Sequence, residues 1–351
     1  MYSNSRGLAA MLLTSALTAP AFLTMPALAH DPAKHTLVAE ASKSKPTELK
    51  QFGAMPHASA VDIGDQSVPL WDGLGSTHVA ITTADPRAQD YFDQGMVMTW
   101  GFNHWEARRA FRAAQELDPG CAMCFWGEAL VLGPNINAPM DPEANAPAVA
   151  AMKEAVARAA LATPRERALI DALSKRYSDD PAVERPALDL AYADAMREVA
   201  ERFPDDRTIA VLYAEALMDL TPWDYWADGG AKPKGRTAEL VATLERVLDA
   251  EPDHIGATHL YIHAVEASTD HHRAEPYADR LRAADVQAGH LIHMPSHIYY
   301  RVGRYAEALG QPQGGRGRRG LSCQGEGGGH LPGRLLSAQH PLPPRFRADG
   351  G

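Results

Sequence analysis

Several signatures of common enzymes and of disulfide-stabilised proteins are missing from this sequence. Its 351 residues include only 3 cysteines, which is too few for a disulfide scaffold. No glycine-rich phosphate loop and no nucleophile elbow is visible. The segment HLYIHAVE, from His259 to Glu266, lacks the glutamate that follows the first histidine in zinc proteases. These absences favour a binding protein over an enzyme.

An excess of basic residues is also missing. Residues 30–309 contain 27 lysine and arginine residues against 42 aspartate and glutamate residues. Nucleic-acid-binding surfaces carry an excess of positive charge, because they neutralise phosphate groups. The acidic balance of this chain therefore argues against a nucleic-acid partner.

Long apolar runs are absent too, except near the amino terminus. Arg6 precedes an apolar stretch over residues 8–23, and the small-x-small sequence Ala27-Leu28-Ala29 follows it. This order is typical of a cleaved secretory signal peptide, predicted here over residues 1–29. We therefore expect an exported protein, located in a Gram-negative periplasm, with no membrane span after cleavage. An uncleaved membrane anchor is the alternative.

The two segments that flank the middle of the chain have compositions that disfavour a packed core. Residues 30–75 mix Pro, Ser, Ala, Lys and Gly without a sustained period, which predicts a disordered leader. Residues 310–351 hold 12 of the 28 glycines and no lysine, which does not suit a packed helix. Two explanations for this last segment remain open: a disordered, weakly basic tail, or a reading-frame shift near Ala308.

The middle of the chain contains an internal repeat of helical character. Residues 106–119 read EARRAFRAAQELDP, and residues 239–252 read ELVATLERVLDAEP. Both segments place apolar residues on a 3.6-residue period, and both stop at an acidic residue followed by proline. The pattern predicts amphipathic helices that recur along the chain.

The first of these segments belongs to a unit that resembles the tetratricopeptide repeat (TPR) family. Counted from Ala88 as position 1, the family's positions 8, 20, 24, 27 and 32 are matched by Gly95, Ala107, Phe111, Ala114 and Pro119. A later unit, counted from Gly289, places Tyr299, Gly303 and Ala308 in the same way. The resemblance implies an all-α, right-handed solenoid of helix–turn–helix repeats over residues 76–309.

Two longer runs extend this resemblance to exported bacterial TPR proteins. These runs are GPNINAPMD, at residues 133–141, and HMPSHIYYRVGRY, at residues 293–305. The first suits a shaped loop at the rim of a groove, because Gly, Pro and Asn favour turns. The separate insert at 221–236 contains the sequence WDYW. We interpret it either as an exposed contact patch or as a loop pinned back onto the repeats.

Histidine spacing is the strongest chemical signal in the sequence. His259 and His263 are four residues apart, as are His293 and His297, and the pairs are separated by 34 residues. A pair at this spacing places two imidazoles on one helix face, an arrangement that binds metal ions. Helices pack 8–10 Å apart, so two such pairs could together hold a divalent transition metal such as zinc or copper.

The TPR resemblance implies that these histidines face a concave ligand groove. In that register the groove also contains His290, Glu266 and Tyr300, and Trp126 is a further groove or packing residue. Three interpretations of the histidines stay open from the sequence. They form a metal site, a polar network between helices, or a metal-free surface that binds an acidic or aromatic ligand.

Cys121 and Cys124 form a Cys-x-x-Cys motif at the predicted start of a helix. Phe125 stands where covalent haem attachment requires histidine, so that function is excluded. A helix amino terminus lowers a thiol pKa, which favours redox or metal chemistry. In an oxidising compartment the pair could instead close as a local structural disulfide.

These observations lead to two functional hypotheses. The first is an exported TPR-like binding or scaffold protein that holds a protein, a peptide or a small ligand in its groove. The second is a metal-dependent enzyme or metal carrier centred on His259, His263, His293 and His297. The sequence motifs favour the first hypothesis.

Overall fold

The computed structural model describes residues 68–284 and 286–310. The predicted signal peptide, most of the predicted leader and the segment after residue 310 lie outside these ranges. The described chain is mostly helical, so the α-helical class is confirmed. Its α-helices are α1 Pro86–Trp100, α2 His104–Leu117, α3 Ala122–Leu132, α4 Asn145–Arg158, α5 Pro164–Leu173, α6 Arg185–Arg202, α7 Arg207–Met218, α8 Thr237–Ala250, α9 Ile255–Val265, α10 Glu275–Ala283, α11 Gly289–His293, α12 Pro295–Arg301 and α13 Tyr305–Ala308.

Short elements of other types lie between these helices. Strands β1 (Trp226–Ala227) and β2 (Lys232–Pro233) form a small antiparallel hairpin inside the predicted insert. Single 3-10 turns occur at Pro142–Ala144, Ala159–Leu161, Ser174–Arg176, Asp228–Gly230 and His271–Ala274. None of the helices in the described ranges has the length and apolar character needed to cross a membrane.

Side-chain caps explain where several helices begin. The Asp85 side chain accepts a hydrogen bond from the Arg87 backbone at the start of α1. Thr163 and Glu166 form a capping box at the start of α5, and each side chain bonds the other residue's backbone N–H. Such caps satisfy backbone donors that have no partner within the helix. The starts of these two helices are therefore encoded locally in the sequence.

The helices form two layers with different burial. All residues of α9 are buried, and in α3 only Phe125 is partly exposed. By contrast, α2, α4, α6 and α8 each bury one face and expose the other. A helix that is apolar on all sides is typical of a protein interior, whereas an amphipathic helix covers it. Helices α3 and α9 therefore lie in the interior, and the amphipathic helices α2, α4, α6 and α8 cover it.

Helix α1 also contacts α9, which is distant from it in the sequence. The two helices approach each other closely at Gly256 of α9, where an added Cβ would lie 2.7 Å from the ring of Trp100 on α1. His259 on α9 also hydrogen-bonds the Trp100 carbonyl at the end of α1. In an extended solenoid each repeat contacts only its neighbours. The α1–α9 contact is therefore a long-range feature that neighbour-to-neighbour stacking does not provide.

Phe111 fills the space where α1, α2 and α3 meet. It is fully buried, and its ring centroid lies 5.3 Å from that of Phe92. A Cβ at Gly95 or at Gly127 would lie 2.5 Å from the Phe111 ring. The two glycines thus allow α1 and α3 to approach the same aromatic ring.

The packed part of the chain includes residues that the sequence analysis places in the leader. The Tyr91 hydroxyl donates a hydrogen bond to the Val68 carbonyl at 2.6 Å. Gln94 accepts a bond from the Trp71 backbone N–H at 2.8 Å, and Leu74 forms an antiparallel bridge with Val286. These polar contacts attach residues 68–75 to α1 and to the segment before α11. Residues 68–75 of the predicted leader thus contact the helical part of the chain.

Candidate metal centre

Five histidines and one glutamate meet where α9, α11 and α12 contact each other. We call His259, His263, His290, His293, His297 and Glu266 the histidine cluster. His259 and His263 lie on α9, and Glu266 follows directly after it. The other three lie on α11 and α12, where the histidine spacing predicts a single helix. Pro295 begins α12, because proline cannot continue the hydrogen bonding of a preceding helix.

The His259 imidazole is oriented by the backbone of α1. Its Nδ1 lies 2.5 Å from the Trp100 carbonyl oxygen. A carbonyl oxygen only accepts hydrogen bonds, so Nδ1 carries the hydrogen and Nε2 keeps a lone pair. That Nε2 atom lies 3.0 Å from Nε2 of His290. The helix contact thus directs a ligand atom of His259 towards His290.

Glu266 orients two further imidazoles. Its Oε1 lies 3.1 Å from Nδ1 of His263, and its Oε2 lies 2.9 Å from Nδ1 of His297. Burial alone would raise the pKa of Glu266, but the hydrogen bonds from the two histidines lower it to about 2. A carboxylate only accepts hydrogen bonds, so both imidazoles donate through Nδ1. Carboxylates commonly hold metal-binding histidines in this way.

Two sets of ligand atoms in the cluster are close enough to hold a metal ion. One set comes from His259, His263 and His290, and the other from His263, Glu266 and His297. In each set the ligand atoms lie within 4.8 Å of one another. Zinc–nitrogen bonds of 2.0–2.1 Å in a tetrahedron require nitrogens about 3.3 Å apart. The 3.0 Å between Nε2 of His259 and Nε2 of His290 is near that value.

The environment of the cluster favours the neutral form of three imidazoles, those of His259, His290 and His293. Burial, followed by repulsion from neighbouring imidazoles, lowers the pKa of His259 and of His290 well below the usual histidine value. His293 is only partly shielded from solvent, and this partial desolvation together with the neighbouring His297 lowers its pKa to about 4. A neutral imidazole retains the lone pair that binds a metal, whereas a protonated imidazole does not.

Two aromatic side chains with unusual backbone conformations line the cluster. Phe102 has φ 51°, and its ring centroid lies 4.4 Å from that of His259 and 5.4 Å from that of His290. Trp223 has φ 65°, and its ring lies edge-on to His263 with 5.0 Å between centroids. Positive φ is strained for a bulky residue, and such strain concentrates at functional sites. Phe102 was not predicted, because its own sequence context carries no metal or ligand motif.

The six clustered residues include every predicted metal ligand and two of the predicted groove residues. His290 and Glu266, expected in the groove, lie at the centre of the cluster. The other two groove residues have different neighbours. Trp126 is buried, and its indole N–H donates to the Leu169 carbonyl of α5 at 3.1 Å. Tyr300 is 53% exposed, and its ring contacts Tyr305.

The predicted rim loop and the insert meet beside the cluster. The Trp223 indole N–H donates to the Ile136 carbonyl within GPNINAPMD at 2.6 Å. The Trp226 indole N–H donates to the Ala264 carbonyl of α9 at 2.7 Å, and Tyr225 is buried. The WDYW segment therefore folds back onto the helices. Its position places Trp223 between the rim loop and His263.

Cys121 and Cys124 form a disulfide at the start of α3. Cys121 is the N-cap residue, and its Sγ lies 3.1 Å from the Cys124 backbone nitrogen. Both residues are buried, with exposed fractions of 1% and 0%. Because the sulfurs are inaccessible to solvent, the pair fits a local structural link better than a thiol–disulfide exchange site.

We expect both cysteines to resist alkylation in the native protein. Iodoacetamide should modify Cys121 and Cys124 only after reduction under denaturing conditions, because burial blocks the reagent and the disulfide removes the thiolate. Peptide mass spectrometry measures each site separately, so any labelling of Cys323 does not confuse the result. Modification of Cys121 in the native, unreduced protein would contradict this arrangement.

Comparison of the chain with models of known protein families finds no match, and neither does comparison with curated proteins. The resemblance to TPR proteins therefore remains a prediction from spacing.

Proposed function

We propose that this protein binds a divalent transition metal, zinc or copper, through Nε2 of His259, His263 and His290. The observation that carries the proposal is the orientation of the imidazoles. Nδ1 of His259 and Nδ1 of His263 are each held by an oxygen acceptor, which leaves Nε2 as the ligand atom on both rings. Neutral imidazole nitrogens suit zinc and copper well.

The same geometry bears on the competing interpretation of a polar network without metal. In that case the 3.0 Å contact between His259 and His290 is a hydrogen bond, and His290 must supply its hydrogen from Nε2. A network of this kind gains only the modest net energy of ordinary hydrogen bonds. The cost of removing several adjacent imidazoles from water opposes the formation of such a network. A metal ion bound by imidazole lone pairs of these residues would stabilise the cluster by a larger free energy.

The metal centre lies inside a larger binding protein in this proposal. We propose an exported protein with TPR-like helical pairs that binds a protein, a peptide or a small ligand near the rim formed by residues 133–141 and Trp223. The right-handed solenoid, the periplasmic location and the TPR family remain part of the proposal. The contact of Trp223 with both the rim loop and His263 supports a ligand surface next to the metal.

A metal-dependent enzyme is the second candidate function. Catalytic zinc sites have three protein ligands and keep a fourth position for water, whereas structural sites are filled by four. A site of three histidines matches the first type. Hydrolysis of an activated ester by the zinc-loaded protein, lost in His259→Ala, would favour this candidate, whereas no rate above free zinc would favour binding alone.

Replacing Glu266 with glutamine is expected to weaken zinc binding by about 10–100-fold. The amide keeps the size of the side chain but loses the charge that holds His263 and His297. Isothermal titration with zinc measures the change, and the exposed Glu201→Gln variant is the matched control. Equal affinity in both variants would show that the carboxylate does not orient the ligands.

A further inference from the structure

Arg176 carries a positive charge in the interior of the protein. It ends the 3-10 turn Ser174–Arg176, and its side chain is 1% exposed. The guanidinium lies over the ring of Tyr192, with Cζ 4.8 Å from the ring centroid. A buried ion pair is often no more stabilising than apolar residues of similar volume. Stability alone therefore does not account for a buried arginine at this position.

One nitrogen of the guanidinium joins two separate segments of the chain. Nη2 donates a hydrogen bond to the Pro134 carbonyl of the rim loop (residues 133–141) at 3.0 Å. The same atom donates to Oδ2 of Asp219 at 2.5 Å, and Asp219 ends α7 shortly before the insert. A Cβ at Gly133 would lie 3.0 Å from Nη1, so the glycine lets the rim loop pass close to the guanidinium.

The rim loop and the insert meet a second time at Trp223. Within the rim loop, Asn135 and Ala138 exchange two backbone hydrogen bonds of 3.0 Å each, which fix the tip of the loop. The Ile136 carbonyl at this tip accepts the bond from the Trp223 indole at 2.6 Å. Trp223 follows Asp219 closely in the sequence. The guanidinium, the rim loop and the start of the insert thus form a closed ring of contacts.

The conformation of Trp223 depends on this ring of contacts. Its φ of 65° is strained for a bulky residue, and such a conformation persists only where its surroundings fix it. The bond to Ile136 holds the indole, and the bond to Asp219 holds the chain that leads to it. The indole held in this way lies edge-on to His263, with 5.0 Å between ring centroids.

We propose that Arg176 is a positioning residue that joins the rim loop to the insert and thereby holds Trp223 beside His263. The inference rests on the proposed function, because it assigns a support to the ligand surface next to the metal. Arg176 acts through Trp223 and not as a metal ligand, since a guanidinium offers hydrogen-bond donors and no acceptor. Lysine cannot replace it, because a lysine ammonium is more strongly hydrated and lacks the planar group that stacks on Tyr192.

The test measures hydrogen exchange of the indole N–H groups by NMR in the full-length, zinc-free protein labelled with ¹⁵N-tryptophan. Single tryptophan-to-phenylalanine variants assign the signals. In Arg176→Lys the Trp223 indole should exchange at least about tenfold faster than in the wild-type protein, because its acceptor on the rim loop is no longer held. Trp126 and Trp226 donate to carbonyls outside the ring of contacts, so their exchange should change by less than about threefold.

Two further variants separate positioning from a general loss of stability. Arg165→Lys is the matched control, because Arg165 pairs with Asp206 at the start of α7, and its replacement should leave all three indoles at their wild-type rates. Asp219→Ala breaks the same ring of contacts at its other end, so it should accelerate exchange at Trp223 alone. Circular dichroism shows whether each variant is folded.

Three results would overturn the proposal. The first is wild-type exchange at Trp223 in folded Arg176→Lys and Asp219→Ala. The second is equal acceleration of Trp223, Trp126 and Trp226, which would make Arg176 a general stabilising residue. The third is exchange of the wild-type Trp223 indole as fast as that of an exposed indole, which decides the question even if neither variant folds.

Zinc addition tests the proposed function separately. Zinc should shift the Trp223 indole signal of the wild-type protein, because the ring contacts His263. Failure of the wild-type protein to bind zinc would refute the metal site. The exchange rates of the zinc-free protein would still decide whether Arg176 positions Trp223.

Discussion

Replacing His259 with alanine is expected to abolish stoichiometric zinc binding. The variant removes one of three ligands and also the hydrogen bond that joins α9 to the Trp100 carbonyl. Loss of a direct ligand should weaken binding by more than about 100-fold, since even loss of an orienting neighbour costs 10–100-fold. Metal content after dialysis and isothermal titration both measure this effect.

Two further variants keep that result interpretable. His290→Ala removes a ligand from a less buried position, so it tests the same site with a smaller risk of unfolding. His272→Ala is the matched control, because its side chain is 71% exposed and lies outside the cluster. Wild-type zinc affinity in both His259→Ala and His290→Ala would contradict the assigned ligand set. Loss of binding in His272→Ala would show that the effect is not specific to the cluster.

Replacing Phe111 with alanine is expected to lower the free energy of unfolding by about 3–5 kcal/mol. The ring is fully buried and fills the space opened by Gly95 and Gly127, neither of which has a side chain that could occupy the cavity. Urea denaturation followed by circular dichroism measures the loss. Such a change would make the junction of α1, α2 and α3 a principal stabilising feature of the fold.

Leu161→Ala is the control for this stability measurement. Leu161 is 70% exposed, so its truncation should change the free energy of unfolding by less than about 0.5 kcal/mol. A loss below about 1 kcal/mol in Phe111→Ala would mean that the three helices repack around the cavity. In that case the contact of Phe111 with Gly95 and Gly127 would not be a major source of the protein's stability.

Local features of the structure could be predicted from the sequence. Helix periodicity depends on residues a few positions apart, so helices α2 and α8 could be predicted from the spacing of apolar residues. The same holds for the pairs His259–His263 and His293–His297. The break at Pro295 was missed, because the 34-residue repeat was followed through a residue that interrupts helical hydrogen bonding.

Long-range features could not be predicted in the same way. The contact between His259 and Trp100 joins residues 159 positions apart, and periodicity identifies the face of a helix without identifying its distant partner. Phe102 reaches the cluster because its backbone has a positive φ, and no sequence motif predicts that conformation. The TPR-like register predicts His290 and Glu266 in a ligand groove. Their place among the candidate ligands depends on how α9 and α11 meet.

The most direct test of the metal site is X-ray absorption spectroscopy of the zinc-loaded, full-length protein. We predict one zinc per chain with three imidazole nitrogens at about 2.0–2.1 Å, one further light atom and no sulfur, since the described cysteines are joined in a disulfide. A shell of oxygen atoms alone, a sulfur scatterer at about 2.3 Å, or failure to retain zinc would contradict the His259–His263–His290 centre.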